Sequence, residues 1–455
     1  PKIGPGGPLM FRASLLFAVL LPNFLFAQST ISLSSPPVQQ PAASSGQAAP
    51  SGAQQSSVPS PVPSNVITLD EAISLALANS PTLKATRTQI QQNQAQEVTA
   101  NLRPNPVLGG DSQFIPFFNP SQFSQDVEQF DVGLGYTFER GGKRHKRLLA
   151  ARDQTAVTTS QVADAERTLT FNVAQQFINA LLANSNLAFA QEALKSFEQT
   201  VNISEQRYKA GDISEGDYLK IKLQLLQFQT DVSSARVAKV QALGSLRQLI
   251  GYAVLPRDYD VNGNLLYQPL TAKLEDLEAK AIEQRPDLRA ARQGINAAQS
   301  QINLAKANGK QDVTLTANYS HTPGLSSLSW FASIPIPIFD RNQGEVARTR
   351  FARTQAEFTE KAAADTVMTD VINAYESTAT NQEVVELYTS GYLKQAEDSR
   401  DISAYAYKGG AATLLDFLDA ERSYRATQLA YRQALAAYML SLEQLRQAVG
   451  TRSLP

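Results

Sequence analysis

The feature that most constrains the fold is a stretch of about seventy residues, Lys143–Ala210, that contains neither glycine nor proline. These two residues are the ones that most reliably end a helix. At 1.5 Å per residue, one helix over this stretch would be on the order of 100 Å long, several times the usual helix length. Residues 345–390 share the property. Such helices occur in coiled coils, membrane spans and helical arrays, so we expect the chain to be organised around two rods.

The composition excludes several kinds of site. The chain has no cysteine, which excludes disulfides, thiolate catalysis and cysteine-based zinc sites. Its two histidines, His145 and His321, are far apart in sequence, so we expect no resident metal. The net charge is −1, which gives no broad field for nucleic acid. No nucleophile–base arrangement is found, so we predict no enzyme, no catalytic residues and no cofactor.

The first 65 residues are predicted to lie outside the folded part. Residues 1–9 form a leader of unclear origin, because Met10 has the context of a start residue. Residues 10–27 have the positive residue, apolar run and cleavage site of a secretory signal peptide. The alternative is a short membrane anchor, but the apolar run is too short to span a bilayer. Residues 28–65 are rich in Pro, Ser, Gln and Ala, which predicts a disordered tether.

Periodicity then predicts two helices followed by strands. Thr68 or Asp70 can cap the first helix, and the second runs from about Thr82 to Leu102. Residues 131–138 alternate between apolar and small or polar side chains, which is the pattern of a strand. The segment before this strand alternates weakly but is dense in aromatic residues, namely Phe114, Phe117, Phe118, Phe123 and Phe130.

The same series of elements recurs about two hundred residues later in the chain. Phe138-Glu139-Arg140 is echoed by Phe339-Asp340-Arg341, and Tyr208-Lys209-Ala210-Gly211 is echoed by Tyr407-Lys408-Gly409-Gly410. One internal duplication explains these offsets. The chain therefore divides into a first repeat, a connector, a second repeat and a tail, which are residues 66–253, 254–272, 273–450 and 451–455.

The second repeat carries the clearer strands, residues 313–320 and residues 328–338. Its last helix has a heptad ladder at Tyr424, Tyr431, Leu435, Tyr438, Leu442, Leu445 and Val449. Each repeat thus offers two strands of about ten residues, the length that crosses a bilayer. These strands are too few to close a barrel, and open sheet edges are not tolerated in lipid, so several chains would have to combine.

The long helices have narrow apolar stripes and polar opposite faces. This pattern fits a helix that packs sideways and faces a water-filled lumen, and it also fits a soluble coiled coil. Periodicity alone does not separate the two, but a plain coiled coil has no use for the predicted strands. A periplasmic coiled-coil scaffold is therefore the alternative from a different class of protein.

Taken together and in this order, these motifs are similar to those of the TolC-like outer-membrane efflux channels. The resemblance covers roughly residues 66–450 and is carried by ITLDEAISLALANSPTL, YTFERGGKR, RYKAGDISEGDYL and YKGGAATLLDFLDAERSY. The pairing of ERGGKRHKR with IPIPIFDRNQGEVAR resembles the heavy-metal branch of the family. Members of that branch are the outer-membrane partners of cobalt–zinc–cadmium and copper exporters.

The resemblance implies a mainly α-helical homotrimer in the outer membrane. Each chain would give four strands to a twelve-stranded β-barrel, and its helices to a long periplasmic helical barrel. The expected partners are outer-membrane lipid, a periplasmic adaptor (membrane fusion) protein and an inner-membrane resistance-nodulation-division pump, with no nucleic acid. The duct would passively conduct metal cations; efflux of drugs or other small molecules, or type I secretion, is the alternative within the family.

The resemblance also implies site residues at the periplasmic tip, where the turns at Gly211 and at Gly409 and Gly410 would lie. Asp416 and Asp419 match two aspartates at the family's pore entrance. Their spacing of three places both on one helix face. Threefold symmetry would make two carboxylate rings that attract cations. The alternative is solvated carboxylates in the first turn of a helix, where the dipole favours them.

The residues of the family's closed gate are matched only in part. Tyr407 and Asp217 match, whereas the position of the family's arginine holds Ala412. Arg207, beside the first turn, is the candidate substitute. The basic run Lys143–Arg147 has the composition of a nucleic-acid patch. In a secreted chain we interpret it instead as a solvated or lipid-phosphate-facing collar where strand becomes helix.

Overall fold

The computed structural model describes residues 66–113 and 129–453. The predicted leader, signal peptide and tether lie outside the described residues, and so do Phe114, Phe117, Phe118 and Phe123. The described chain is mainly helical, with a short parallel pair of strands and one four-stranded sheet.

The first half of the described chain runs from a short strand through two helices to the sheet, and then into two long helices. Its elements are β1 Val66–Ile67, α1 Leu69–Asn79, α2 Pro81–Ala100, β2 Val107–Gln113, β3 Gln129–Phe138, α3 Lys143–Ala210 and α4 Glu215–Ile250.

The second half follows the same order of helices, strands and long helices. Its elements are β4 Asp260–Val261, α5 Leu274–Gln284, α6 Pro286–Asn308, β5 Val313–Thr322, β6 Leu325–Ser333, α7 Gln343–Leu387, a π turn Tyr388–Tyr392, α8 Leu393–Lys408 and α9 Leu414–Val449. β4 pairs in parallel with β1, which ties the chain between the halves to the start of the first half.

Helix α1 begins with the capping arrangement that its sequence predicts. The Thr68 hydroxyl accepts a hydrogen bond from the Glu71 N–H at 3.4 Å, and the Glu71 carboxylate accepts one from the Thr68 N–H at 2.8 Å. Each side chain thus accepts a hydrogen bond from a backbone N–H that has no partner within the helix. Thr68, rather than Asp70, is therefore the capping residue.

The first rod is one uninterrupted helix, as predicted. Helix α3 is 68 residues long and ends at Gly211, whose φ of 84° is left-handed. The second rod differs from the prediction, because it continues beyond Ser390 through the π turn and α8. Gly391 in that turn has a φ of 137°, which an L side chain rarely adopts, so the glycine permits the break in the helix.

The sheet joins the two halves of the chain. Its strand order is β2-β3-β5-β6, with all pairs antiparallel, and the central β3–β5 pair places Leu134 opposite Ala317. The prediction that the last strand extends to Ile338 is wrong, because β6 ends at Ser333. Pro335 and Pro337 follow, and proline has no N–H to donate to a strand ladder.

Buried apolar side chains form several clusters along the rods rather than one central core. One cluster packs α1, α3 and α4 together, and a second packs α5, α6, α7 and α9. A third lies at the far end of the rods and consists of Phe197, Val201, Ile221, Phe228, Tyr407, Leu414 and Phe417. On α9, the predicted ladder residues Tyr438, Leu445 and Val449 are fully buried.

Candidate functional site

The four-stranded sheet has one apolar face and one polar face. Cross-strand partners share a face, and the apolar set is Leu108, Phe130, Val132, Leu134, Tyr136, Phe138, Val313, Leu315, Ala317, Tyr319, Leu328, Trp330 and Ala332. Many of these side chains are exposed, including Val132 at 53% and Trp330 at 65%. The opposite face carries mainly glycine, serine, threonine, asparagine, glutamine and aspartate, with Val107, Leu325 and Phe331 as exceptions. Strands between lipid and water have this pattern.

The polar face carries carboxylates at the end away from the helices. Asp111 lies directly opposite Asp131 in the β2–β3 ladder. The buried Asp131 carboxylate accepts hydrogen bonds from the Gln129 amide at 2.9 Å and from the Ser320 hydroxyl. Like charges at directly opposed positions repel each other.

The two edge strands of the described sheet, β2 and β6, each have a neighbouring strand on one side only. β2 pairs with β3 and β6 pairs with β5, and neither has a second neighbour among the described strands. None of the described helices is long and apolar enough to cross a membrane.

The basic run lies where β3 passes into α3, as predicted, but much of it is bonded within the protein. The buried Lys143 ammonium pairs with Asp312 at 2.7 Å, and the Arg144 guanidinium donates to the Asn101 carbonyl at 2.6 Å. Arg147 pairs with Glu139 and also donates to carbonyls at the end of α2. Cations suit the unpaired carbonyls of a helix C-terminus. The interpretation as a solvated or lipid-phosphate-facing collar is therefore wrong for the buried Lys143, whereas Arg144 and Arg147 are half-buried.

The first turn at the far end of the rods closes with a left-handed glycine. The Asp212 N–H donates to the Arg207 carbonyl at 2.8 Å, so the last carbonyls of α3 are satisfied. The Ser214 hydroxyl accepts from the Asp217 N–H at 3.1 Å and caps α4. The Asp217 carboxylate pairs with Lys220 at 3.3 Å, in its own first turn.

The second turn closes in a similar way but with a stronger cap. Gly410 is its left-handed residue, with a φ of 75°, and the Ala411 N–H donates to the Ala406 carbonyl at 2.8 Å. Oδ2 of Asp416 accepts from the Thr413 hydroxyl at 2.6 Å and from the Thr413 N–H at 3.2 Å. These hydrogen bonds hold the pKa of Asp416 below its usual value. Asp416 thus lies in the first turn of α9, as both interpretations require, and it also caps the helix, which neither interpretation predicted.

The structure brings Arg207 and Tyr407 together, although 200 residues separate them in the chain. The Arg207 guanidinium donates to the Tyr407 carbonyl at 2.8 Å, and its carbon lies 5.4 Å from the centre of the Tyr407 ring. Tyr407 is 5% exposed and stacks on Phe417 with ring centres 5.3 Å apart. The third predicted gate residue, Asp217, is not part of this contact, because its carboxylate pairs with Lys220.

Asp419 lies on the exposed side of α9, where it lines a cleft of about 1060 Å³ between α3, α4 and α9. Glu421 lines the same cleft. The pKa of Glu421 lies above its usual value, because burial raises it by more than the nearby Arg400 and Arg425 lower it. Among the described residues, no group of three or more His, Cys, Asp and Glu side chains has the arrangement to hold a metal ion.

Sequence reasoning missed the arginines that cross between the helices at this end. Arg425 lies 4.1 Å from the centre of the Phe228 ring, and Arg432 lies 4.2 Å from that of Phe189. A signal was present, because each of these arginines follows a tyrosine of the α9 heptad ladder. The heptad pattern identifies the tyrosines as packing residues but gives no role to the residue that follows each of them.

An exposed apolar sheet face joined to long, largely polar helices defines an outer-membrane protein with an extended helical part. The model of the outer membrane efflux protein family matches residues 72–252 and 277–451 of the chain. The chain therefore belongs to the outer membrane efflux protein family. Membership of this family, unlike the scaffold alternative, accounts for the sheet.

Two relatives and one solved structure are similar over most of the chain. The cation efflux system protein CusC of Escherichia coli is 26% identical over 371 residues, which are 78% of this chain and 80% of that protein. The cobalt-zinc-cadmium resistance protein CzcC of Cupriavidus metallidurans is 23% identical over 425 residues, 93% of this chain and 94% of that protein. A crystal structure of CusC has the same fold, with a TM-score of 0.70 and 22% identity over 84% of this chain and 92% of that one.

Proposed function

We propose that this chain is the outer-membrane exit duct of a tripartite efflux system and that it works as a homotrimer. The four-stranded sheet carries the proposal, because one face is apolar and exposed and both edges lack a further strand among those described. Unpaired strand edges leave backbone groups unsatisfied in lipid, so strands from several copies must join. Three copies would supply twelve strands, an even number within the range of outer-membrane barrels.

We infer that the long helices continue this barrel as a periplasmic tunnel. Residues 66–253 and 273–450 would be two repeats of one unit, joined by residues 254–272. This inference is supported by the shared order of helices, strands and long helices in the two halves. The polar helix faces would line the tunnel and keep it filled with water. Because the duct would conduct passively, it needs no catalytic residues and no cofactor.

The partners at the tip would be a periplasmic adaptor protein and, through it, an inner-membrane pump of the resistance-nodulation-division class. The pump would supply the energy. Metal cations are the substrate that we favour, because the similar CusC and CzcC proteins are described as cation efflux and cobalt-zinc-cadmium resistance proteins.

Asp416 and Asp419 would form two rings of carboxylates at the entrance of the trimer. Asp416 uses only Oδ2 in its cap, which leaves its charge and Oδ1 at the exposed surface. Asp419 is exposed, and no hydrogen bond or ion pair joins it to another described residue. Both carboxylates are therefore available to a passing cation. Arg207, Tyr407 and Asp217 would hold the helices around this entrance.

The duct and its rings can be tested with purified protein in planar bilayers. The wild type should conduct and favour cations over anions. Combined Asp416→Asn and Asp419→Asn should reduce that preference, whereas Glu215→Gln, an exposed carboxylate beside the other turn, should not. Unchanged selectivity in the double variant would exclude the rings. A monomer that is soluble without detergent would exclude the duct.

The substrate can be tested in cells that lack this chain. They should become sensitive to cobalt, zinc, cadmium or copper salts, and the wild-type chain should restore resistance. If the cells become sensitive to drugs but not to metal salts, the substrate is a small molecule and not a metal cation.

A further inference from the structure

The end of the four-stranded sheet from which the long helices continue is strongly basic. Residues 101–106, 136–150, 306–313 and 338–350 lie at this end and form the basic rim. They contain eleven Lys and Arg against four Asp and Glu. Because the whole chain has a net charge of −1, the positive charge is concentrated at this level of the molecule. A local excess of cations attracts anions.

A cavity of about 280 Å³ opens in the basic rim where α2, β3 and α3 meet. It is lined by Arg103, Pro104, Tyr136, Phe138, Glu139, Gly142, Lys143 and Arg144. The rings of Tyr136 and Phe138, which belong to the apolar face of the sheet, meet edge to face with their centres 4.8 Å apart. The cavity therefore lies at the boundary between the apolar sheet face and the basic rim.

The carboxylates at this cavity are already paired within the protein. Both carboxylate oxygens of Glu139 accept hydrogen bonds from the Arg147 guanidinium. The carboxylate of Asp312 accepts from the Lys143 ammonium at 2.7 Å and from the Arg140 N–H at 2.9 Å. The charges of these two ion pairs cancel. The net charge of the cavity therefore comes from the two arginines that remain.

Arg103 and Arg144 supply this uncompensated charge. Arg103 is exposed, and no hydrogen bond or ion pair joins its side chain to another described residue. Its helical conformation is disfavoured by Pro104, so the chain leaves the direction of α2 at this point. Arg144 donates through Nε to the Asn101 carbonyl at 2.6 Å, and its two terminal nitrogens have no hydrogen bond to another described residue. Guanidinium groups with free nitrogens suit phosphate oxygens, which they can bind in pairs.

The surroundings of the cavity favour a ligand that also has an apolar part. Phe138 on the cavity wall is exposed, and Leu134 and Val132 continue the exposed apolar face along β3. At the same end of the sheet, the segment between β6 and α7 leaves Ile336 79% and Phe339 89% exposed. Contact with acyl chains would remove such side chains from water. A free phosphate ion would use the arginines but not these apolar surfaces.

We propose that this cavity binds the headgroup of an anionic phospholipid from the periplasmic leaflet of the outer membrane. Arg103 and Arg144 would hold the phosphate oxygens, and Tyr136 and Phe138 would pack against the glycerol and the first acyl carbons. The volume is close to the lower limit of about 300 Å³ for small-molecule pockets, so the acyl chains would lie outside, over the apolar sheet face. The proposal goes beyond the duct and needs only that the sheet lies in the outer membrane.

Native mass spectrometry of the full chain in detergent tests the site, with phosphatidylglycerol added to the delipidated protein. The wild type should bind one phosphatidylglycerol tightly per chain. Arg103→Gln should weaken this binding about fivefold, and Arg103→Gln with Arg144→Gln about 20-fold, because each cation near an anionic lipid adds a comparable share of the attraction. Arg103→Lys should keep most of the affinity, since it keeps the charge.

The matched control is Arg236→Gln, which removes the same charge from an exposed position on α4, away from the sheet. It should bind phosphatidylglycerol like the wild type. Because Arg103 has no partner to lose, the melting temperature and the amount of assembled protein should be unchanged in Arg103→Gln. This single variant therefore separates lost lipid binding from misfolding even if the loss of Arg144 disturbs the contact with Asn101.

Two further ligands identify which part of the lipid is recognised. Phosphatidylcholine should bind several-fold more weakly than phosphatidylglycerol, because its choline cation opposes the two arginines. Inorganic phosphate at millimolar concentration should not displace phosphatidylglycerol, because it makes no contact with the apolar surfaces. Displacement by inorganic phosphate would show a site for the free ion and would overturn the lipid assignment.

Two other results would also overturn the proposal. One is wild-type affinity for phosphatidylglycerol in both arginine variants, and the other is equal affinity of the wild type for phosphatidylglycerol and phosphatidylcholine. None of these measurements depends on conductance. A protein that binds the lipid as expected but does not conduct would contradict the duct and leave the lipid site in place.

Discussion

The two long rods have similar lengths but differ in continuity. Helix α3 runs for 68 residues without a break, whereas the second rod is a 45-residue helix, a five-residue π turn and a 16-residue helix. The difference lies at Gly391, which adopts a backbone conformation that other residues rarely reach. A single glycine thus distinguishes a continuous rod from a jointed one.

The rods also differ in how they are packed. Helix α3 has buried residues along its whole length, from Lys143 to Ser204. In α8 the one buried residue is Tyr407, and the π turn has none. Few buried contacts mark the segments of a protein that open at the lowest free energy. We therefore expect the lower part of the second rod to open more readily than the first rod.

The largest effect is expected from breaking the first rod. Ala174 is fully buried in α3. Ala174→Pro removes a helix hydrogen bond and clashes with the preceding turn, at a cost of about 3 kcal/mol or more. We expect no assembled protein on size-exclusion chromatography in detergent. Ala174→Gly, with a cost of about 1 kcal/mol, should still assemble. Normal assembly of the proline variant would contradict one continuous rod.

A second test makes the same substitution in each half and expects opposite signs. Gly391→Ala should destabilise by about 1–3 kcal/mol, because alanine is strained at this backbone conformation. Gly244→Ala should stabilise by roughly 0.5–1 kcal/mol, because Gly244 lies within α4 and an added Cβ meets nothing within 4 Å. Denaturant unfolding in detergent measures both. A stabilising effect at Gly391 would remove the distinction between the rods.

The two turns at the tip give a smaller contrast. Gly211 has a φ of 84°, so Gly211→Ala should cost about 1–2 kcal/mol. Gly409 has a φ of −82°, and an added Cβ would make only ordinary contacts there. Gly409→Ala should therefore be neutral or stabilise by about 0.4–1 kcal/mol. Equal costs at the two positions would show that the left-handed residue does not control the first turn.

The smallest expected effect is the pH dependence of the second cap. The pKa of Asp416 is lowered in the folded state because Thr413 donates to its carboxylate. Its contribution to stability is therefore present above the unfolded pKa of about 3.9 and is lost as the pH falls through the lower folded value. Asp416→Asn should flatten the acid limb of the melting temperature against pH. If the melting temperature of Asp416→Asn falls at acid pH as steeply as that of the wild type, the Asp416 carboxylate does not stabilise the start of α9.

Much of the local structure was predictable because it depends on neighbouring residues. The absence of glycine and proline predicted both ends of α3, and alternation predicted β3 and β5. Two local predictions failed for local reasons: Pro335 and Pro337 end β6 early, and the break at Gly391 was not recognised. For the candidate site, the family resemblance supplied Tyr407 and Asp217, and Arg207 was predicted only as a substitute beside the first turn. The contact between Arg207 and Tyr407 was not predicted.

The sequence by itself determined the first rod, the cap of α1, the strands β3 and β5 and the family, since each of these is encoded by residues close together or by motifs in a fixed order. The tertiary structure alone decided that β3 pairs with β5 and that Arg207 reaches Tyr407. Arg207 and Tyr407 are 200 residues apart, and their contact depends on how four helices pack. A periodic pattern gives the face of a helix but not which ring an arginine on that face will meet.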